Sequence, residues 1–377
     1  MTRILHTADW QIGRLYGTFE PDDAVPLAEA RFAAVERIAS LAARESVDAV
    51  VVSGDVFDAQ TVTARTIRRL FNALAGYTGP WVMIPGNHDA ALTESVWTHA
   101  SRLGVLPPNL HLALEPRVVE LPTVRLALLC APLTQRHTFG DLTAWFDTAV
   151  THDGWSRVGL AHGAVQGILA EEIDAANPIA PDRAVRAHLD YLALGDWHGT
   201  KRIDERTWYS GTPEQDRFKS NDAGQVLLVT LGETGAVPQV EPVRTGQYRW
   251  RQETHALAVA TDVDAVVARL SDAQPEDVLD LTLTGQVDLL GYTQVQQALG
   301  IAEARARCLR RDLSGLRLLP TAEDIAGLHA DGYLGAVIGE LRDLSANGAG
   351  DDARRAQDAL ALLTGLLTEQ NAVGATA

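Results

Sequence analysis

Ala49–Val50–Val51–Val52–Ser53–Gly54–Asp55–Val56–Phe57–Asp58 decides the fold class. An uninterrupted apolar run enters a serine, a glycine and then a carboxylate. Such a short apolar run, closed by glycine, reads as a buried strand. The same unit recurs on either side. Upstream, Arg3 to Ala8 ends at Asp9. Downstream, Trp81 to Ile84 leads through Pro85 and Gly86 to Asn87 and His88. Val158 to Ala161 ends at His162, and Tyr191 to Leu194 leads through Gly195 to Asp196 and His198. Between the first runs lie helical patterns: Leu27, Ala30, Ala34, Ile38 and Leu41, then Ile67, Leu70 and Leu74. Strands alternating with helices predict an α/β layered core. Ligands of such cores gather beyond the carboxyl ends of the strands, where each of these polar residues falls.

Further along, residues 204–251 turn to a β pattern, with a hairpin predicted from 226–231 and 237–243 around Gly232–Glu233–Thr234–Gly235. A smaller β–α–β–α–β unit follows over 254–320, with strands at 256–260, 278–283 and 316–319 and helices at 263–270 and 293–311. The remaining residues are rich in Ala and Leu and read as helical, interrupted by Asn347–Gly348–Ala349–Gly350. The expected domains are 1–250, 251–325 and 326–377.

Composition narrows the function. The chain has 377 residues and a net charge of −17, which argues against a generic basic nucleic-acid coat. It leaves room for an enzyme that meets phosphates through bound metal and a local arginine patch. Lys201 and Lys219 are the only lysines; together with the many alanines this fits a GC-rich coding bias. Cys130 and Cys308 are too few for a disulfide scaffold or a Cys-rich zinc module, and they fit a reducing cytoplasm. No apolar stretch reaches the roughly 18 residues of a transmembrane helix. No signal-peptide pattern opens the chain. A cytoplasmic protein without a membrane partner is expected.

Carboxylate, imidazole and amide oxygen at successive strand ends are the donors that divalent metals of intermediate hardness take. Two such ions about 3.5–4 Å apart can clamp both oxygens of a phosphoryl displacement. A carboxylate shared between them must project from the centre, and Asp55 is the natural candidate.

Taken in order, Asp9–Trp10–Gln11, Gly54–Asp55–Val56–Phe57–Asp58, Gly86–Asn87–His88–Asp89, Ala161–His162–Gly163 and Gly195–Asp196–Trp197–His198 resemble the calcineurin-like metallophosphoesterase superfamily. The opening Ile4–Leu5–His6–Thr7–Ala8–Asp9–Trp10–Gln11–Ile12–Gly13 and the segment Tyr209–Ser210–Gly211–Thr212–Pro213–Glu214 are similar to SbcD-type DNA-repair exonucleases. The resemblance covers residues 1–245 well, and 254–320 matches that family's DNA-capping domain in type and position. It implies a layered sandwich of two mixed sheets flanked by helices, a small α+β cap and a helical C-terminus.

It also implies roles. Asp9, Asp55 and His198, with Gln11, would hold one metal; Asp55, Asn87, His162 and Asp196 would hold the other. His88 would contact phosphate or protonate the leaving oxygen rather than bind metal. Mn²⁺ is the expected ion and Mg²⁺ the alternative. The implied activity is DNA exonuclease/endonuclease, with DNA, an SbcC-like SMC-type ATPase and a second copy of the chain as partners. Gln11 and Asp196 depart from the family's pattern, which has histidine at both positions. Two other readings stay open: a phosphodiesterase for a small or cyclic nucleotide, and a DNA-binding scaffold whose site has weakened.

Other residues carry weaker expectations. Arg14 and Tyr16, with Phe19, sit in a loop opening from the site and are candidates for contact with a DNA strand, phosphate to Arg and base to aromatic. His6 is expected to pack in its strand, and His137 to serve a loop. Asp58 and Asp89 are expected to orient neighbouring groups. Arg307, Arg310 and Arg311 are expected on one helix face. Leu334, Ile338 and Leu341, then Ala356, Leu360, Leu363 and Leu367, form two apolar stripes suited to docking on the ATPase.

Overall fold

A computed structural model describes residues 1–168, 176–319, 321, 333–347 and 350–374. Positions 320, 325, 326 and 377, Gly348, Ala349 and the side chain of Leu367, all named above, lie outside that description. The chain divides into two compact units, Met1–Arg249 and Trp250–Ala377.

The first unit begins with β1 (Thr2–Thr7), α1 (Pro21–Arg44), β2 (Ala49–Ser53), α2 (Ala64–Ala73), β3 (Trp81–Ile84), α3 (Val96–Arg102) and β4 (Leu110–Leu112). Next come β5 (Arg117–Leu121), β6 (Leu126–Ala131), β7 (Ser156–His162), β8 (Ala164–Val165), β9 (Pro178–Ile179), α4 (Arg183–Arg186) and β10 (Tyr191–Gly195). It closes with β11 (Lys201–Arg202), β12 (Thr207–Tyr209), β13 (Gln225–Leu231) and β14 (Gln239–Arg244). Two six-stranded mixed sheets result, in the orders β14-β13-β1-β2-β3-β4 and β11-β12-β10-β7-β6-β5. In the first, β13 alone runs against its neighbours. In the second, β12, β10, β7 and β6 are parallel and both edge strands are reversed. The expected hairpin is β13 and β14.

The uninterrupted apolar runs have a simple cause. Val51 and its neighbours Ile4 and Val82 pack between the sheets against Leu128, Leu160 and Ala193. Val50 and Val52 point the other way, onto Ile38 of α1 and Ile67 and Leu70 of α2. The far face of the second sheet is covered likewise, with Leu192 and Leu194 packing with Phe146, Ile179 and Ala184. Both faces of the central strands β2, β3, β6 and β10 are apolar because both are covered. The polar residues are thereby pushed to the strand ends.

The second unit holds β15 (Arg249–Leu257), α5 (Ala260–Ser271), β16 (Asp277–Val287), α6 (Leu289–Arg305) and β17 (Cys308–Leu318). Leu257, Val266, Leu281, Leu283, Val295 and Leu299 form its core. The β–α–β–α–β order matches the sequence reading, but the second helix does not. It starts when the Asp288 side chain accepts from Gly291 N, and it ends at Arg305, where Ala306 turns extended with ψ of 156°. Cys308 onward joins β16 in a parallel ladder instead. Arg310 and Arg311 therefore sit on a strand, not on a helix face with Arg307, and pair with Asp280 and Glu303 at 3.7 and 3.6 Å. Tertiary pairing has overridden helix propensity in this stretch.

Two further helices, α7 (Tyr333–Asn347) and α8 (Asp351–Gly374), pack against each other. Ile338, Ala356 and Leu360 are buried within the unit. Three residues of the stripes expected to dock on a partner are thus used at home, while Leu341 and Leu363 are half-buried. Leu334, Leu344, Leu362 and Leu366 remain exposed.

Candidate metal centre

The strand-end residues converge where the carboxyl ends of β1 and β2 meet those of β7 and β10. Asp9, Asp55 and His162 each present a ligand atom, all within 4.8 Å of one another, and all three residues are buried. Backbone bonds between neighbouring strand ends hold the first two. Asp9 N donates to Gly54 O at 3.0 Å, and Gln11 N to Asp55 O at 3.0 Å. Asp9, Gln11, Asp55 and Asp196 have φ of 54°, 50°, 53° and 103°. Left-handed backbone at non-glycine residues is strain, and strain of this kind gathers at functional sites.

Two glycines make the approach possible. A Cβ on Gly86 would fall 2.2 Å from Asp55 Oδ1. One on Gly54, where φ is +91°, would fall 2.4 Å from His162 Nδ1. The Gly-Asp and Gly-Asn pairs seen in the sequence are therefore spacing devices as much as turn residues.

Hydrogen bonds set the orientation of each donor. His162 Nδ1 is 2.8 Å from Ser53 O, so it carries the proton and leaves Nε2 facing Asp55 Oδ1 and Asp196 Oδ1, each at 3.6 Å. Asp55 Oδ1 accepts from His88 N at 2.9 Å, and its Oδ2 accepts from Gln11 Nε2 at 2.8 Å. Asp196 N donates to both oxygens of Asp9 at 3.2 Å. Three buried atoms in this cluster have no hydrogen-bond partner: Gln11 Oε1, Asn87 Oδ1 and His162 Nε2. Buried polar atoms without a hydrogen-bond partner are costly and call for an explanation.

Charge points the same way. Burial pushes the Asp9 carboxyl up to about 6, with Asp55 and Asp196 adding to it against the pull of His198 and His162. Burial and Asp55 also push Asp196 up. Burial alone would lower His162, yet Asp55, Asp9 and Asp196 together hold it up at about 9. Crowded carboxylates and unpaired lone pairs are the donor set of a cation site, and oxygen with imidazole suits a divalent metal.

A family model of calcineurin-like phosphoesterases matches residues 2–267. The chain belongs to that family. Among curated proteins, the DNA double-strand break repair protein Mre11 of Methanosarcina acetivorans is 23% identical over 92% of this chain and 56% of its own length. Mre11 of Aeropyrum pernix is 28% identical over 66% of this chain and 63% of its own. The SbcD component of nuclease SbcCD from Rhodobacter capsulatus is 39% identical over 24% of this chain and 22% of its own. The chain thus spans little more than half the length of the first of these relatives.

Around this calcineurin-like centre the structure adds residues that sequence reading passed over. Asp216 is the chief one. Its Oδ2 lies 2.9 Å from His198 Nδ1 and 3.3 Å from Arg31 Nη2 and Arg14 Nη1. Arg217 Nη2 is 2.8 Å from the same His198 nitrogen. We assign the Nδ1 proton to Asp216, because a carboxylate oxygen accepts it and the Arg217 guanidinium has no acceptor. Burial opposes ionisation of Asp216, but His198, Arg31 and Arg217 hold its carboxyl well below the usual range. A carboxylate behind a histidine fixes the ring and raises its basicity. Asp89 plays the orienting part expected of it, accepting from Gly86 N, Val56 N and Phe57 N at 2.6, 2.9 and 3.1 Å.

His88 stands at the rim, its side chain 33% exposed. Its Nδ1 is 2.8 Å from Asp58 O, and its Nε2 is 3.9 Å from Asp55 Oδ2. Arg14 is partly exposed and tied to Asp58 at 3.5 Å as well as to Asp216. Tyr16 corrects the expectation. It is 6% exposed, and its hydroxyl accepts from Arg31 Nε at 3.1 Å, so it is a core residue rather than a surface platform. His6 packs as expected, and His137 is exposed. Tyr209 braces the β7 end, donating to Gly163 O at 2.7 Å and accepting from Val165 N at 3.0 Å.

Proposed function

We propose that this phosphoesterase is a two-metal DNA nuclease acting in DNA repair. The observation that carries the reading is the set of buried atoms without hydrogen-bond partners, Gln11 Oε1, Asn87 Oδ1 and His162 Nε2, beside carboxylates that repel one another. These residues fit a pair of divalent ions. Asp9, Asp55, His198 and Gln11 would hold one; Asp55, Asn87, His162 and Asp196 would hold the other. When bound, the ions supply a more acidic water and a polarised phosphodiester.

The protein's own groups do the rest. The Asp58 carbonyl accepts the His88 Nδ1 proton and so leaves Nε2 to meet a phosphate oxygen or to deliver a proton to the leaving oxygen. Asp216 holds the His198 ring for its metal. Arg14, at the rim, is placed to meet substrate phosphate. The donor set is rich in oxygen, which favours Mn²⁺ or Mg²⁺ over Zn²⁺.

Relatives named for Mre11 and for nuclease SbcCD support DNA as substrate and a larger complex as setting. We take the partner to be an SbcC-like SMC-type ATPase, met through the exposed leucines of α7 and α8. We take the chain to pair with a second copy of itself. The test is a direct comparison of substrates. Mn²⁺-dependent degradation of linear duplex DNA is expected, with little hydrolysis of cyclic nucleotides. The opposite preference would assign the site to small phosphodiesters.

A further inference from the structure

The chain has two lysines in 377 residues, and both lie on one tryptophan. Lys201 Nζ is 5.4 Å and Lys219 Nζ 4.5 Å from the centroid of Trp197. They come from different places: Lys201 from β11, Lys219 from the loop that also carries Asp216 and Arg217. Trp197 itself stands between Asp196 and His198 and is only partly buried.

The surrounding charges make the pair distinctive. Arg14, Arg31 and Arg217 are each tied to Asp216, and Arg14 also to Asp58. Each of these arginines thus has a carboxylate partner. Among the described residues, neither Lys201 nor Lys219 has a carboxylate within ion-pair distance. In a chain of net charge −17, these are two unmatched cations on the tryptophan that the chain places between Asp196 and His198. An ammonium over an aromatic face is held in place at little cost and keeps the N–H donors not turned to the ring for an anion. Aromatic surface with adjoining cations is the arrangement that holds single-stranded nucleic acid, bases on the ring and phosphates on the charges.

We propose that Trp197, Lys201 and Lys219 form a strand-binding platform that holds the single-stranded DNA next to the scissile bond. The proposal rests on the nuclease reading above. It assigns two backbone phosphates to the lysines and a base or sugar to Trp197.

The experiment uses the full chain and a fluorescent single-stranded oligonucleotide. Anisotropy is read across a salt series with Ca²⁺ present, so that the acidic site does not repel the strand. Cleavage of the same strand is then measured with Mn²⁺. Removing two phosphate contacts should flatten the plot of log affinity against log salt by about 1.4. K201Q/K219Q should show that change and bind severalfold more weakly, while K201R/K219R keeps the wild-type slope. Wild-type slope and affinity in K201Q/K219Q would overturn the platform. So would an equal loss in K201R/K219R, since charge would then not be the cause. A wild-type protein that does not bind the strand would overturn it as well. Mn²⁺-dependent cleavage by the wild type tells whether the nuclease reading survives any of these results.

Discussion

Two buried histidines lie on either side of Ser53 and have opposite proton affinities. Ser53 Oγ is 3.3 Å from His6 Nε2, and Ser53 O is 2.8 Å from His162 Nδ1. His6 belongs to the layer between the sheets, where its Nδ1 meets the Tyr191 hydroxyl at 2.9 Å. Burial drives it down to about 3, and a backbone bond with Leu194 recovers only part of that. His162 belongs to the layer above, among Asp55, Asp9 and Asp196, and is held at about 9. Equal burial therefore says little about a histidine. The charges facing it decide whether it is filler or part of a site. Below Ser53 every polar atom of the ring has a neutral partner; above it, donors are left unmatched.

Removing charge from the upper layer gives the largest expected effect. Asp55→Asn should reduce phosphodiesterase activity to background and abolish Mn²⁺ binding measured by calorimetry, because the shared carboxylate is lost. The same change should leave the metal-free protein as stable or more stable on thermal melting, since one of several repelling carboxylates is gone. A clear fall in melting temperature without metal would mean that Asp55 serves the fold and that the contrast between the layers is misdrawn.

His88→Ala comes next. It removes a group at the rim without altering the carboxylate cluster. Activity should fall by about 10²–10⁴, with Mn²⁺ titration largely unchanged. Loss of metal along with activity would move His88 into the ligand set.

The lower layer can be tested through pH. His6 is neutral in the folded protein because burial lowers it to about 3, while an unfolded histidine titrates near its ordinary value of 6.5. Its contribution is fully present above that value and is lost as pH falls toward 3. The unfolded state then binds a proton that the folded state refuses, at a limiting slope of about 1.4 kcal/mol per pH unit. Denaturant unfolding between pH 7 and acid should thus show a steeper decline for wild type than for His6→Gln. Identical slopes would mean that His6 takes up its proton while folded.

Much of this contrast was legible in the sequence, and the reason is local. A strand buried on both faces must shed its polar residues at its ends, so Asp9, Asp55, Asn87, His162, Asp196 and His198 announce themselves by position. What could not be read depends on distant chain. Asp216 lies 18 residues beyond His198, in a loop with no motif of its own, and only the fold brings them to 2.9 Å. Tyr16 sits among polar residues and looks exposed, but buried Arg31 from α1 draws its hydroxyl inward. The stretch around Arg310 and Arg311 has helix-compatible residues, and only its ladder with β16 makes it a strand.

Gln11 offers the finest test. It already stands in the upper layer, with left-handed backbone and its amide nitrogen bonded to Asp55 Oδ2. Its Oε1 is buried and unpaired, so the neutral amide supplies one weak donor where an imidazole would supply a stronger one. The metal held with Gln11 should therefore be the more exchangeable of the two, and the one held with Asp196 the firmer. Gln11→His should tighten the weaker ion and lower the Mn²⁺ concentration needed for activity, perturbing the fold little. Calorimetric titration of Mn²⁺ into metal-free protein separates the cases. Two unequal affinities that approach each other in Gln11→His support Oε1 as a ligand. Equal affinities, unchanged by the substitution, would leave Gln11 as a group that only orients Asp55, and the unpaired oxygen would then need another partner.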